Sequence, residues 1–157
     1  MDSPKERIKA WREALGLTRT EVARSIGAES SYYGIELHEG EVFATPLEQT
    51  KKLCQVLKRS LWDLFDLSCD FCSHATDLNS EYSLPRSELI RACRLAKGWS
   101  PSELGDLIGF YAPAVEKMET DPDFLDSWSF DLVKELAATI GVPAQLLLGT
   151  KCPQCGR

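Results

Sequence analysis

Thr18-Arg19-Thr20-Glu21-Val22-Ala23-Arg24-Ser25-Ile26-Gly27 and Ser100-Pro101-Ser102-Glu103-Leu104-Gly105-Asp106-Leu107-Ile108-Gly109 carry the same local chemistry twice, 82 residues apart. Each opens with a hydroxyl residue followed three places on by Glu. This is the capping box, in which the hydroxyl accepts from a free backbone N–H and the carboxylate reaches back to the cap. Each then carries apolar residues at helical spacing and stops at Gly, the residue that closes a helix most readily in the left-handed conformation. Pro101 occupies the first helical position, where its missing N–H costs nothing. Two capped short helices in register make the chain a repeat of one helical unit.

The register extends outward from these segments. Ile8-Lys9-Ala10-Trp11-Arg12 lies over Ile90-Arg91-Ala92-Cys93-Arg94, and Ile8, Trp11, Ala14 and Leu15 form the apolar stripe of a helix ending near Gly16. A third helix is expected from about Ser30 to Leu37 and from Pro113 to Glu119, followed by a loop. A fourth helix carries Leu53, Val56 and Leu57, or Leu132, Val133, Leu136 and Ile140; a short fifth holds Leu61, Leu64 and Phe65, or Ala144, Leu147 and Leu148. One residue is gained in the middle of the second copy, so that Leu57 lies over Ile140, and Cys69 and Cys72 over Cys152 and Cys155. No alternating strand pattern competes, and the fold class expected is all-α. The domains expected are 1–72 and 86–157, joined by the polar stretch 73–85, which lacks apolar periodicity.

Composition bounds the function. The chain has 157 residues, 43% of them apolar, enough to build a core and too many for intrinsic disorder. No run approaches the roughly 20 consecutive apolar residues of a membrane span. The charged N-terminal stretch lacks the apolar region of a signal peptide, which gives a cytoplasmic expectation. The formal net charge of −6 argues against a general polyanion binder. His38 and His74 are the only two histidines, and no nucleophile–base pair or phosphate-cradling glycine loop stands out. An enzyme is not expected.

Cys69-Asp70-Phe71-Cys72 and Cys152-Pro153-Gln154-Cys155-Gly156 are the most specific chemistry in the sequence. Two Cys-x-x-Cys pairs supply the four thiolates of a tetrahedral Zn²⁺, each pair bending around the metal in a tight turn. One structural zinc on Cys69, Cys72, Cys152 and Cys155 is the expectation, closed to water and therefore not catalytic. A redox pair, an iron site, or a zinc shared between two chains are the alternatives; the absence of a βαβ pattern weakens the redox reading. Cys54 and Cys93 fall at apolar helix positions and read as small core residues. The Cys-Pro-x-Cys-Gly form resembles the knuckles of zinc ribbons and rubredoxins.

The stretch from Arg12 through Leu17 to Gly27, and its counterpart from Arg94 through Trp99 to Glu119, resemble the Cro/repressor-type (XRE) helix-turn-helix domain. The resemblance covers about five helices in each copy and implies tandem five-helix bundles, whose C-terminal ends the zinc expected from the cysteine spacing would join. It further implies a second helix lying across the phosphate backbone and a third entering the major groove of duplex DNA. On that basis the candidate DNA contacts are Arg19, Ser30, Ser31, Tyr32, Tyr111 and Lys117. Tyr33 aligns with Val115, a core position of the family fold. The implied function is a transcriptional regulator acting as a covalent pseudo-dimer, which allows a monomer to present two recognition helices. Departures from the family's usual chemistry support an alternative. Neither third helix opens with Arg, Lys, Asn or Gln, the usual base readers. The following loops carry Glu39 and Glu41, or Asp121, Asp123 and Asp126. The alternative is a protein-interaction adaptor that docks a partner through Tyr32, Tyr33, Phe110 and Tyr111 and does not read DNA.

Overall fold

A computed structural model describes residues 2–69 and 84–154, and among these the chain is all-helical, with no strand. It divides into two compact units, Met1–Ser68 and Cys69–Arg157. The division falls just ahead of Cys69, so all four cysteines of the expected zinc site lie in the span of the second unit. Most of the expected linker, 73–85, lies outside the described residues.

The first unit comprises α1 (Pro4–Ala14), α2 (Arg19–Ile26), α3 (Tyr32–Leu37), α4 (Glu41–Ala44), α5 (Leu47–Val56) and α6 (Leu61–Leu64). The caps that the sequence encodes are formed. The Glu21 N–H donates to Thr18 Oγ1 at 3.2 Å, and the Thr18 N–H donates to the Glu21 carboxylate at 2.7 Å. The Thr18 N–H and the Thr18 hydroxyl, which donates to the same carboxylate at 3.0 Å, hold the Glu21 carboxyl below its usual range. Gly27 ends α2 at φ +68°. The buried stripe Ile8, Val22, Ile26, Ile35, Val42, Leu47, Leu53, Leu57 and Leu64 closes one core.

The second unit comprises α7 (Arg86–Ala96), α8 (Pro101–Ile108), α9 (Ala112–Thr120) and α10 (Phe130–Ile140), with 3₁₀ turns at Phe124–Ser127 and Ala144–Leu147. The same capping exchange recurs: the Ser100 N–H reaches Glu103 at 2.6 Å and the Glu103 N–H reaches Ser100 Oγ at 3.1 Å. Ile90, Leu104, Val115, Met118, Leu125, Val133, Leu136 and Leu147 form its core. The loop expected after each third helix contains helical structure of its own, α4 in the first unit and Phe124–Ser127 in the second.

The third helices correct the sequence alignment. α3 starts at Tyr32 rather than Ser30, and Tyr32 is fully buried while Tyr33 is exposed. Tyr32, not Tyr33, is therefore the counterpart of Val115. The residue gained by the second copy sits between Gly109 and Val115, in the turn entering α9. Its effect shows at Gly105, the counterpart of Ala23. A Cβ at Gly105 would stand 2.5 Å from the Phe110 carbonyl oxygen, closer than atoms pack. Ala23 is buried in the first unit without such a clash. The longer turn of the second copy thus requires glycine where the first accepts alanine.

Candidate functional site

Arg12 and Glu36 tie together the first three helices of the first unit. Arg12, buried on α1, donates from Nη1 to the Leu17 carbonyl at 2.9 Å and from Nε to Glu36 Oε1 at 2.6 Å. One side chain thereby fixes the turn before the α2 cap and the far face of α3. Burial on its own would lower the Arg12 pKa; the Glu36 carboxylate overrides that and raises it. The second unit repeats the device: Arg94 ion-pairs with Glu119 and donates from Nη1 to the Trp99 carbonyl at 2.7 Å. Glu119 is the partner that raises the Arg94 pKa. Sequence reading missed this pair, although Arg12/Arg94 and Glu36/Glu119 recur at matching places. The one-residue insertion puts them at offsets of 82 and 83, which hides the match in a fixed register.

The first unit adds two groups that the second lacks. Arg19, the first residue of α2, brings Nε to 2.6 Å from Glu36 Oε2, with Glu36 only 1% exposed and Arg19 41% exposed. Tyr32 donates its hydroxyl to Glu36 Oε1 at 3.1 Å. Burial and the adjacent carboxylate push the Tyr32 phenol well above its ordinary pKa, so it remains a donor. Pro101 and Val115 stand at these places in the second unit and offer neither bond.

The candidate DNA-contact residues separate accordingly. Tyr32 is corrected: its side chain is sealed in the core on Glu36 and cannot reach a base. Ser30 and Ser31 are exposed ahead of α3, with Ser31 Oγ 3.4 Å from the Ala28 carbonyl. Tyr33 is the exposed aromatic of α3, its hydroxyl 3.0 Å from Thr20 Oγ1 on α2. Arg19 is held on the buried carboxylate and half exposed. Tyr111 caps α9 at 87% exposure, and Lys117 is exposed on the same helix. Of the other expected exposed aromatics, Phe110 is half-buried and stacks on Trp128 with ring centroids 4.4 Å apart.

Acidic side chains nearby are partly neutralised. Glu39 lies 3.5 Å from Lys5, and exposed Glu29 lies 3.9 Å from exposed Arg24. Asp126 pairs with buried Arg86 at 3.0 Å. Arg86 also donates to the carbonyls of Pro122 at 2.8 Å and Leu147 at 3.3 Å, stapling the start of α7 to two loops.

Cys69 and Cys152 are both buried. The Gln154 N–H donates to Cys152 Sγ at 3.4 Å across the Pro153–Gln154 turn. Cys72 and Cys155, the other half of the expected set, lie outside the described residues, as does His74. Among the described residues no group of three or more metal-ligating side chains gathers. Cys54 is a core residue on α5: burial, with Asp63 adding to it, pushes its thiol up to about 12.

No protein-family model, curated protein or solved structure matches this chain.

Proposed function

We propose that the chain is a DNA-binding transcriptional regulator made of two Cro/repressor-type helix-turn-helix units, with the duplex contacted chiefly by the first. The observation that carries this reading is the Arg–Glu pair repeated in both units. In each, a buried guanidinium joins the first helix to the turn before the second and to the third. That arrangement holds the second and third helices at a fixed angle, the requirement for laying one across phosphates while the other enters a groove. Arg19 then supplies the charge. Its Nε rests on Glu36 while part of the side chain faces solvent, so a phosphate meets a guanidinium that is already ordered. Ser30, Ser31 and Tyr33 supply the polar groups at the start of α3.

One structural zinc on Cys69, Cys72, Cys152 and Cys155 completes the proposal. The ion would tie residues 69–72 to residues 152–155, with its charge offset by four thiolates. Two thiolates alone would leave the tetrahedron half empty.

The test of the DNA reading is a salt titration of duplex binding. Arg19→Ala is expected to weaken binding on all sequences alike and to lower the slope of log K against log salt by about 1, the signature of one lost phosphate contact. Ser30→Ala and Ser31→Ala are expected to cost about 1–3 kcal/mol at a preferred site and little elsewhere. Larger losses from Ser102→Ala and Lys117→Ala than from Arg19→Ala would reverse the assignment of the two units. The adaptor reading is favoured by one observation, the 87% exposure of Tyr111 in an acid-rich setting.

A further inference from the structure

The repeat allows the two α2-type helices to be compared position by position. Where the first unit carries Arg19, Arg24 and Ser25, the second carries Pro101, Asp106 and Leu107. The outer face of α8 has thus lost both positive charges, gained a negative one, and acquired an apolar side chain. Leu107 is 56% exposed in the last turn of α8, and Tyr111 is 87% exposed four residues on, across the Gly109 turn. The turn between them is anchored from beneath. Phe110 stacks on buried Trp128, and the Phe110 N–H donates to the Gly105 carbonyl at 2.8 Å. Leu107 and Tyr111 are therefore presented by a fixed backbone, and ordering them costs little entropy when a partner arrives.

Charge selects the partner. Lys117 is the one basic residue between Ser100 and Asp123, against Glu103, Asp106, Glu116, Glu119, Asp121 and Asp123. Among the described residues, Glu119 is the one of these acids in an internal ion pair, with Arg94, and Glu103 accepts the Ser100 N–H. Exposed Glu103 lies one turn before Leu107 on α8 and exposed Asp106 lies beside it; with exposed Glu116 on α9 and Asp121 and Asp123 after it, they give this part of the second unit a negative potential, which repels nucleic acid and anionic lipid and attracts cations. We propose that this face of the second unit docks a basic segment of a partner protein, with apolar side chains of that segment on Leu107 and Tyr111 and its Lys or Arg residues on the carboxylates of Glu103 and Asp106. The proposal stands on the second unit's own surface, and it holds whether or not the first unit reads DNA. With that reading it makes the protein a linker between a duplex site and a cationic partner.

The test uses the full chain and three labelled amphipathic peptides: one of Lys and Leu at helical spacing, one with Glu replacing Lys, one with Ser replacing Leu. The Lys/Leu peptide is expected to bind, and the other two to bind about tenfold more weakly or worse, because each lacks one half of the recognition. Leu107→Ser with Tyr111→Ser is expected to weaken the Lys/Leu peptide by about tenfold, and Asp106→Arg, which restores the first unit's charge, by a comparable factor. Leu37→Ser, at an apolar residue 56% exposed on the first unit, is expected to leave peptide binding unchanged. Equal binding by the double variant and the parent overturns the proposal. So does sedimentation showing self-association that the double variant abolishes, since a second copy then covers the face. A loss of duplex affinity in the double variant overturns it as well. Duplex binding and zinc content of the parent are measured separately, so failure here is distinct from failure of the DNA reading.

Discussion

Glu36 joins three other side chains of the first unit. It is almost fully buried, yet it meets two guanidinium groups and a phenol hydroxyl. Glu36→Gln leaves Arg12 as a buried charge without a full counter-charge, and loss of one partner of such a pair costs about 3–5 kcal/mol. The expected result in chemical denaturation is a large loss of stability in the first unit. Tyr32→Phe removes one hydrogen bond to a charged group and is expected to cost about 1.5–3 kcal/mol, with duplex affinity retained once folding is secured. Tyr33→Phe, at the surface, is expected to leave the melt unchanged; the opposite ranking would return Tyr32 to the surface. Cys54 gives a chemical check on the same core. With its thiol pushed up to about 12, it is protonated at neutral pH and is expected to resist alkylation until the unit unfolds. Labelling of native protein at Cys54 would contradict its place in the core.

At the scale of elements, α8 and the turn after it respond to the extra residue of the second copy. Gly105→Ala drives a methyl to 2.5 Å from the Phe110 carbonyl, so it is expected to destabilise the second unit despite alanine's higher helix propensity. Ala23→Gly in the first unit is expected to cost about 1 kcal/mol through propensity alone. A stabilised Gly105→Ala protein would mean that the turn relaxes freely. The capping boxes at Thr18 and Ser100, the glycine stops and the apolar stripes were legible in the sequence because they depend on neighbours three or four residues away. The orientation of Tyr32 and Tyr33 was not. It turns on where one inserted residue falls, and a shift of one position rotates a helical side chain by about 100°. The buried Arg–Glu pairs escaped for a related reason: their partners lie on different helices, and pairing across helices leaves no local spacing to read. For the cysteine site, the spacing of the two pairs was legible, whereas the Gln154 N–H bond to Cys152 sulfur is a feature of folded geometry.

At the scale of the whole molecule, the two units share the same internal brace and differ in their surfaces. The first keeps Arg19 and Arg24 on its second helix; the second replaces them with Pro101 and Asp106. The zinc proposal predicts one metal ion per chain by elemental analysis. Cys152→Ser is expected to lose the metal while both units stay largely helical by circular dichroism, since their apolar cores need no metal. Acid is expected to release the ion, because thiolate ligands must be deprotonated to bind. Two zinc ions per chain, or four sulfurs in disulfides with no metal, would contradict the site. The central claim, that the first unit reads duplex DNA, is tested most directly by selection from random duplexes at low salt using the parent chain. The account predicts enrichment of a motif with one strong half-site, whose preference shifts on Ser30→Ala and Ser31→Ala; a pool that enriches no motif would contradict it.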